Sequence, residues 1–173
     1  MNRKIALLAG LVYVSALPAV QAQYYSYRSP YNPYSGASAY RSYGYNPYTG
    51  SHGSTTSAYN PYTGARAGSS SAYNPSTGGY AHSASGYNPY TGNAGRTASA
   101  YNPYTGTHAS SSSEHNAYTG ASAHQSSAYN PYTGRSGSSQ SYHNPYTGNS
   151  MHTQEYHNSY TGRTAYHYSY RRR

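Results

Sequence analysis

The side chains that could carry out chemistry in this chain are nine histidines, two glutamates and many serines. Glu114 and His115 follow the serine run 110–113, so that a Ser-His-Glu arrangement can be drawn. Such an arrangement works only when a rigid scaffold holds the nucleophile, the base and the orienting acid within hydrogen-bond reach. The sequence contains no cysteine and offers no apolar core for such a scaffold. We therefore expect no enzyme activity.

Histidine is also a potential metal ligand, and the densest patch comprises His143, His152 and His157. No histidine has a cysteine near it, and none belongs to an i, i+4 pair on a predicted helix. Carboxylates that could orient the imidazoles are almost absent. We interpret these residues as amphipathic rings that replace tyrosine, and we predict neither a metal site nor a cofactor.

Tyrosine is the most distinctive residue type, with 28 copies in the chain, all but Tyr13 beyond residue 22. Regular tyrosines with scattered arginines are typical of sequence-tolerant single-strand binders. Lysine is absent beyond residue 22, however, and arginine is sparse, so counterion release would be weak. We therefore expect no dedicated nucleic-acid partner.

These tyrosines belong to a tandem repeat of fourteen residues, with ten copies over residues 31–170. Each copy starts with Y-N-P-Y-T-G or a close variant and continues with eight looser residues rich in Ser, Ala and Gly. A fixed period indicates one small structural element repeated along a line. The residues that we predict to form turns or adhesive contacts are Tyr31, Tyr34, Tyr45, Tyr48, Tyr59, Tyr62, Tyr87, Tyr90, Tyr101, Tyr104, Tyr129, Tyr132, Tyr146, Tyr160, Gly50, Gly64, Gly92, Gly106, Gly134 and Gly148.

The motif itself predicts a turn. Asn at position 2 can accept hydrogen bonds from the backbone just downstream, and Pro at position 3 presets φ for the first corner. Gly at position 6 supplies a left-handed residue that closes such a turn into a hairpin or a bulge. The motif resembles the D-P-E-T-G loop of small designed β-hairpins. After the turn, a small residue at position 9 between variable neighbours is typical of a strand with one crowded face.

Composition limits the fold class. Beyond residue 22 the chain has no Ile, Leu, Val, Phe or Trp, and Met151 is its only large aliphatic side chain. Without apolar area to bury, little offsets the entropy of ordering the chain. We therefore expect a non-globular, low-complexity chain that is mostly disordered, with a transient NPYTG turn every fourteen residues. The alternative is a thin β-solenoid with small residues inside and tyrosine ladders outside.

The remaining segments complete the domain organisation. Residues 1–22 have a basic start, a short apolar run and small residues at 20 and 22, which predicts a cleaved signal peptide. Residues 23–30 are a Tyr-rich lead-in, and 171–173 form a basic tail. We expect an exported chain, in the periplasm, on the cell surface or outside the cell, with no transmembrane segment after cleavage.

The repeat resembles that of exported bacterial proteins with YNPYTG-type tandem repeats, a resemblance that implies no activity. Nine arginines and two glutamates give residues 23–173 a net charge of +7. Exposed Tyr–Arg contacts contribute about 0.5–1 kcal/mol each, and many of them act together. We therefore expect a structural or interaction protein of the envelope or extracellular matrix, with self-association and anionic polysaccharide as possible partners. The alternative is a repeat binding module that presents Tyr and Thr ladders to a glycan or to ice.

Overall fold

The computed structural model describes residues 23–28, 32–34 and 36–172, so the predicted signal peptide, Tyr31 and Arg173 lie outside the described residues. The described chain is built from strands joined by tight turns. The strands are β1 (Gln23–Arg28), β2 (Ser38–Tyr45), β3 (His52–Tyr59), β4 (Arg66–Asn74), β5 (Gly79–Asn88), β6 (Asn93–Asn102), β7 (Thr107–Asn116), β8 (Ser122–Asn130), β9 (Arg135–Asn144), β10 (Asn149–Asn158) and β11 (Arg163–Arg171). The Tyr-rich lead-in thus supplies β1.

These strands form one antiparallel sheet in which the spatial order is the chain order, β1 to β11. Each strand contacts only the strands before and after it, so the described part of the chain is a single layer. Among the described strands, β1 and β11 lie at the two edges of the sheet. The prediction of a mostly disordered chain is therefore wrong.

The predicted β-solenoid was closer, because it was ordered, but its connectivity differs from the observed one. In a solenoid successive coils place equivalent strands in parallel, whereas this chain reverses direction at every motif. The physical reason is the length of the turn, since the motif leaves only a tight reversal between one strand and the next. A tight reversal joins antiparallel neighbours, whereas parallel neighbours need a long crossover.

Backbone pairing and hydroxyl contacts replace a core in this sheet. No hydrophobic side chain in the described residues is buried. Every interior strand satisfies its peptide groups on both sides, which the backbone requires wherever water is excluded. Serine and threonine hydroxyls add bonds between strands, with Ser54 Oγ and Ser71 Oγ 3.0 Å apart and Ser70 Oγ and Ser83 Oγ 2.7 Å apart. Stability therefore comes from nearest-neighbour contacts, as in other repeat arrays.

The register relates each repeat to the next by a half-turn about an axis that runs across the strands. Tyr45 lies opposite His52, whereas the next motif tyrosine, Tyr59, lies opposite Arg66. His52 and Tyr59 lie seven residues apart on β3, so their side chains point to opposite faces. We call the face of His52 face A and the face of Tyr59 face B. Both faces therefore carry the same pattern, in opposite orientations.

Candidate ligand-binding surfaces

Face A carries a continuous row of aromatic rings, which we call ring row A. Its members lie directly opposite one another on consecutive strands, and all are partly exposed. The rings of His52 and Tyr73 have centroids 5.2 Å apart, and those of His108 and Tyr129 are 5.3 Å apart. Ring row A consists of Tyr45, His52, Tyr73, Tyr80, Tyr101, His108 and Tyr129.

The equivalent row on face B is less aromatic and more cationic. Tyr59, Arg66 and Tyr87 are successive cross-strand partners. The Arg66 guanidinium lies 5.5 Å from the centroid of the Tyr59 ring, a cation–π contact. Further along the row, rings alternate with small residues, since His115 and His143 both pair with Ser122. The two faces therefore share a pattern but differ in chemistry.

Hydroxyl groups occupy the middle of each face. On face A, Ser54, Ser71 and Ser99 lie in the row next to ring row A, and Thr56 and Thr97 lie one row further. From β2 to β6, the far end of the face is lined with small residues: Ala39, Ala58, Ala67, Gly86 and Gly95. A molecule lying across the strands of face A would therefore meet rings on one side and hydroxyls beside them.

The motif turns lie at both ends of the strands, and Asn at position 2 organises each of them. Asn46 Oδ1 accepts hydrogen bonds from the backbone N–H of Tyr48 at 2.9 Å and of Thr49 at 3.3 Å. The Gly50 N–H donates to the Asn46 carbonyl at 2.8 Å. Thr49 Oγ1 accepts a bond from the Ser51 N–H at 3.2 Å. The motif therefore uses its own side chains to satisfy its backbone.

Glycine at position 6 is required for two separate reasons. All ten such glycines have φ between 58° and 67°, the left-handed region. In addition, eight of the ten lie against the turn two repeats later on the same end of the sheet. A Cβ at Gly106 would lie 2.5 Å from Pro131 Cγ, and one at Gly92 would lie 2.6 Å from the Tyr118 ring. The predicted motif glycines Gly50, Gly64, Gly92, Gly106, Gly134 and Gly148 all have the left-handed backbone.

The position-4 tyrosines lie at the tips of the turns, away from the ring rows. In the described repeats they are 65% to 95% exposed. Several of their hydroxyls reach back to the turn two repeats earlier: Tyr90 donates to the Tyr62 carbonyl at 3.3 Å, and Tyr160 donates to the Pro131 carbonyl at 2.8 Å. The tips placed by the structure are Tyr34, Tyr48, Tyr62, Tyr90, Tyr104, Tyr118, Tyr132, Tyr146 and Tyr160.

The structure thus divides the predicted motif tyrosines into those at position 4, which lie at turn tips, and those at position 1, which lie on the faces of the sheet. Tyr45, Tyr101 and Tyr129 lie in ring row A, whereas Tyr59 and Tyr87 lie on face B. The sequence reasoning missed His52, Tyr73, Tyr80 and His108, which complete ring row A. A signal was present, because a hairpin centred on the motif places position 8 opposite position 1.

The residues considered for catalysis and metal binding do not converge. Glu114 and His115 are neighbours on β7, so their side chains point to opposite faces. His157 lies on face A, whereas His143 and His152 lie on face B. Within the described ranges, no group of three or more His, Cys, Asp or Glu side chains is placed to hold a metal ion.

Comparison with known proteins identifies no relative. No family model, no curated protein and no solved structure matches the chain. In the part of the chain that the structure describes, no helix is long and apolar enough to cross a membrane.

Proposed function

We propose that the protein is an exported binding module that presents its ring and hydroxyl rows to an extended polysaccharide. The observation that carries the proposal is ring row A, in which seven aromatic side chains line up across seven strands. At about 4.8 Å between strands the row is about 29 Å long. A row of this length fits a polymer rather than a single sugar.

The chemistry of the row supports a carbohydrate. Aromatic faces carry a partial negative charge, which complements the C–H groups on the face of a sugar ring. Tyr73, Tyr80 and Tyr101 are 37%, 45% and 47% exposed, so each ring is held by its neighbours but still open to a ligand. The serine and threonine rows beside them supply donors and acceptors for sugar hydroxyls.

Charge supports an acidic polysaccharide over a neutral one. Beyond residue 22 the chain carries nine arginines against two acidic residues. Arg66 is placed in the ring row of face B, beside Tyr59, where a sugar carboxylate could meet both groups. Because such contacts are exposed, salt should weaken them.

The test is co-sedimentation of the purified protein with chitin, cellulose and calcium alginate, the last carrying carboxylates. We expect binding, strongest to alginate at low salt. The variant Tyr73→Thr/Tyr80→Thr/Tyr101→Thr keeps strand-forming residues but removes three rings. If each ring contributes about 0.5–1.5 kcal/mol, affinity should fall about tenfold or more.

The matched control is Tyr48→Thr/Tyr132→Thr/Tyr146→Thr, which removes three tyrosines from turn tips and leaves both faces intact. We expect its affinity to stay within about twofold of the parent, and far-UV circular dichroism should show the sheet in both variants. Equal loss in the two variants would mean that tyrosine number, not ring row A, governs binding. If the protein bound none of the three polysaccharides, the proposal would be overturned.

A second candidate function is a structural protein of the envelope or matrix that works through multivalent Tyr and Arg contacts. The observation that favours it is the exposure of the turn tips, since Tyr34 is 95% exposed and Tyr146 is 81% exposed. In this case the tip variant, rather than the ring-row variant, would lose retention on cell-wall material. The same pair of variants therefore separates the two functions.

A further inference from the structure

The outer edge of β11 is a surface for interaction with another protein chain, and this role is independent of polysaccharide binding. All nine residues of β11 are exposed, including Tyr166, Tyr168 and Tyr170. Proteins usually protect a free edge with proline, lysine, a bulge or a very short strand. β11 is nine residues long, pairs with β10 without interruption, contains neither proline nor lysine, and has its two charged residues, Arg163 and Arg171, at its ends. It is an open template for another strand.

We propose that the protein assembles end to end, with β11 of one copy pairing antiparallel with β1 of a second copy. Such a pair would continue the strand pairs inside the sheet. One operation, a half-turn with a shift of one strand spacing, relates each interior repeat to the next. The same operation applied once more at β11 generates the place of a twelfth strand, which β1 of a second copy fills.

Charge argues against the symmetric alternative, in which two β11 edges pair with each other. A centred antiparallel β11 pair would set Arg163 of each copy opposite Arg171 of the other. Like charges directly opposite each other destabilise a strand pair. β1, with the sequence QYYSYR, carries one charged residue, Arg28, at its end. β1 is therefore the better partner for β11.

This contact leaves a β11 edge at one end of every assembly and a β1 edge at the other. Such a head-to-tail contact does not close on itself and therefore generates a filament. The strands would lie perpendicular to the filament axis, and each copy of eleven strands would add about 53 Å at about 4.8 Å per strand.

The experiment follows assembly in buffer that contains no polysaccharide, by light scattering, electron microscopy and fibre diffraction. We expect filaments and a reflection near 4.8 Å along the axis. The variant Tyr166→Lys/Tyr168→Lys/Tyr170→Lys charges the β11 edge and should remain at the mass of one copy. The control Tyr48→Lys/Tyr132→Lys/Tyr146→Lys adds the same charge at turn tips and should still form filaments.

A second measurement protects the test against an edge variant that fails to fold. A synthetic peptide with the sequence QYYSYR, added to the unmodified protein, should cap β11 and shorten the filaments, whereas a scrambled peptide should not. Three results would overturn the proposal: an unmodified protein that stays monomeric at high concentration, dimers that grow no further, or an edge variant that assembles like its parent. None of these results depends on whether polysaccharide binds.

Discussion

The two reasons for glycine at position 6 can be separated by three alanine substitutions. Gly106 has φ of 59°, and a Cβ there would lie 2.5 Å from Pro131 Cγ. Gly162 has φ of 64°, but a Cβ there would meet no atom of the described residues within 4 Å. Gly86 lies within β5 without a positive φ, and its Cβ would approach only the Arg66 carbonyl oxygen, at 3.8 Å. An alanine would therefore meet backbone strain and a steric clash at Gly106, backbone strain alone at Gly162, and neither at Gly86.

The expected magnitudes follow from these differences. Left-handed backbone costs an alanine about 1–2 kcal/mol, so Gly162→Ala should lower the free energy of unfolding by about that amount. Overpacking adds about 1–3 kcal/mol, so Gly106→Ala should lower it by about 2–5 kcal/mol. Gly86→Ala should raise it by about 0.5–1 kcal/mol, because alanine loses less backbone entropy on folding.

The assay is urea unfolding followed by far-UV circular dichroism, with hydrogen exchange to locate the effect. Gly106→Ala should increase exchange in β6, β7 and the turn around Pro131, because the contacts of each repeat are with its near neighbours. If the three variants were equally stable, the left-handed turns and their stacking would not hold the sheet together, and our account of the fold would be refuted.

Two further predictions concern single turns. Asn46→Ala removes the acceptor for the Tyr48 and Thr49 amides, so it should lower the free energy of unfolding by about 1–2 kcal/mol, while Asn46→Asp should change it little; equal effects in urea titrations would contradict this role. Ser76 interrupts the row of tip tyrosines, and Ser76→Tyr should gain about 0.5–1 kcal/mol from a hydroxyl bond to the turn of Tyr48, as Tyr104 makes to Ser76. The control is Ser76→Phe, which lacks that hydroxyl. If it raised the free energy of unfolding as much as Ser76→Tyr does, the effect would come from ring packing rather than from the hydrogen bond.

The turn was within reach of sequence reasoning, since the residues that make it lie next to one another. Asn46 bonds to residues two and three positions away, and Gly50 provides the left-handed residue at the end of the turn. The strand that follows was only partly predicted, from the small residue at position 9. In the structure the strand extends through the whole loose segment, as in β5 from Gly79 to Asn88.

The order of the chain could not be predicted from composition, because composition measures the capacity to bury apolar area and this sheet buries almost none. The sheet is stabilised instead by contacts between residues far apart in sequence, such as the hydrogen bond that the Tyr118 hydroxyl donates to the Pro89 carbonyl. The same logic explains Ala117, which stands where most repeats have proline. Alanine has the backbone N–H that proline lacks, and this N–H donates to the Gly92 carbonyl at 2.8 Å. The Tyr118 ring covers Gly92, just as Pro131 covers Gly106 in another pair of turns. A departure from the consensus thus keeps the contact between turns by other atoms, which indicates that stacking of turns, rather than any one residue, is what the repeat preserves.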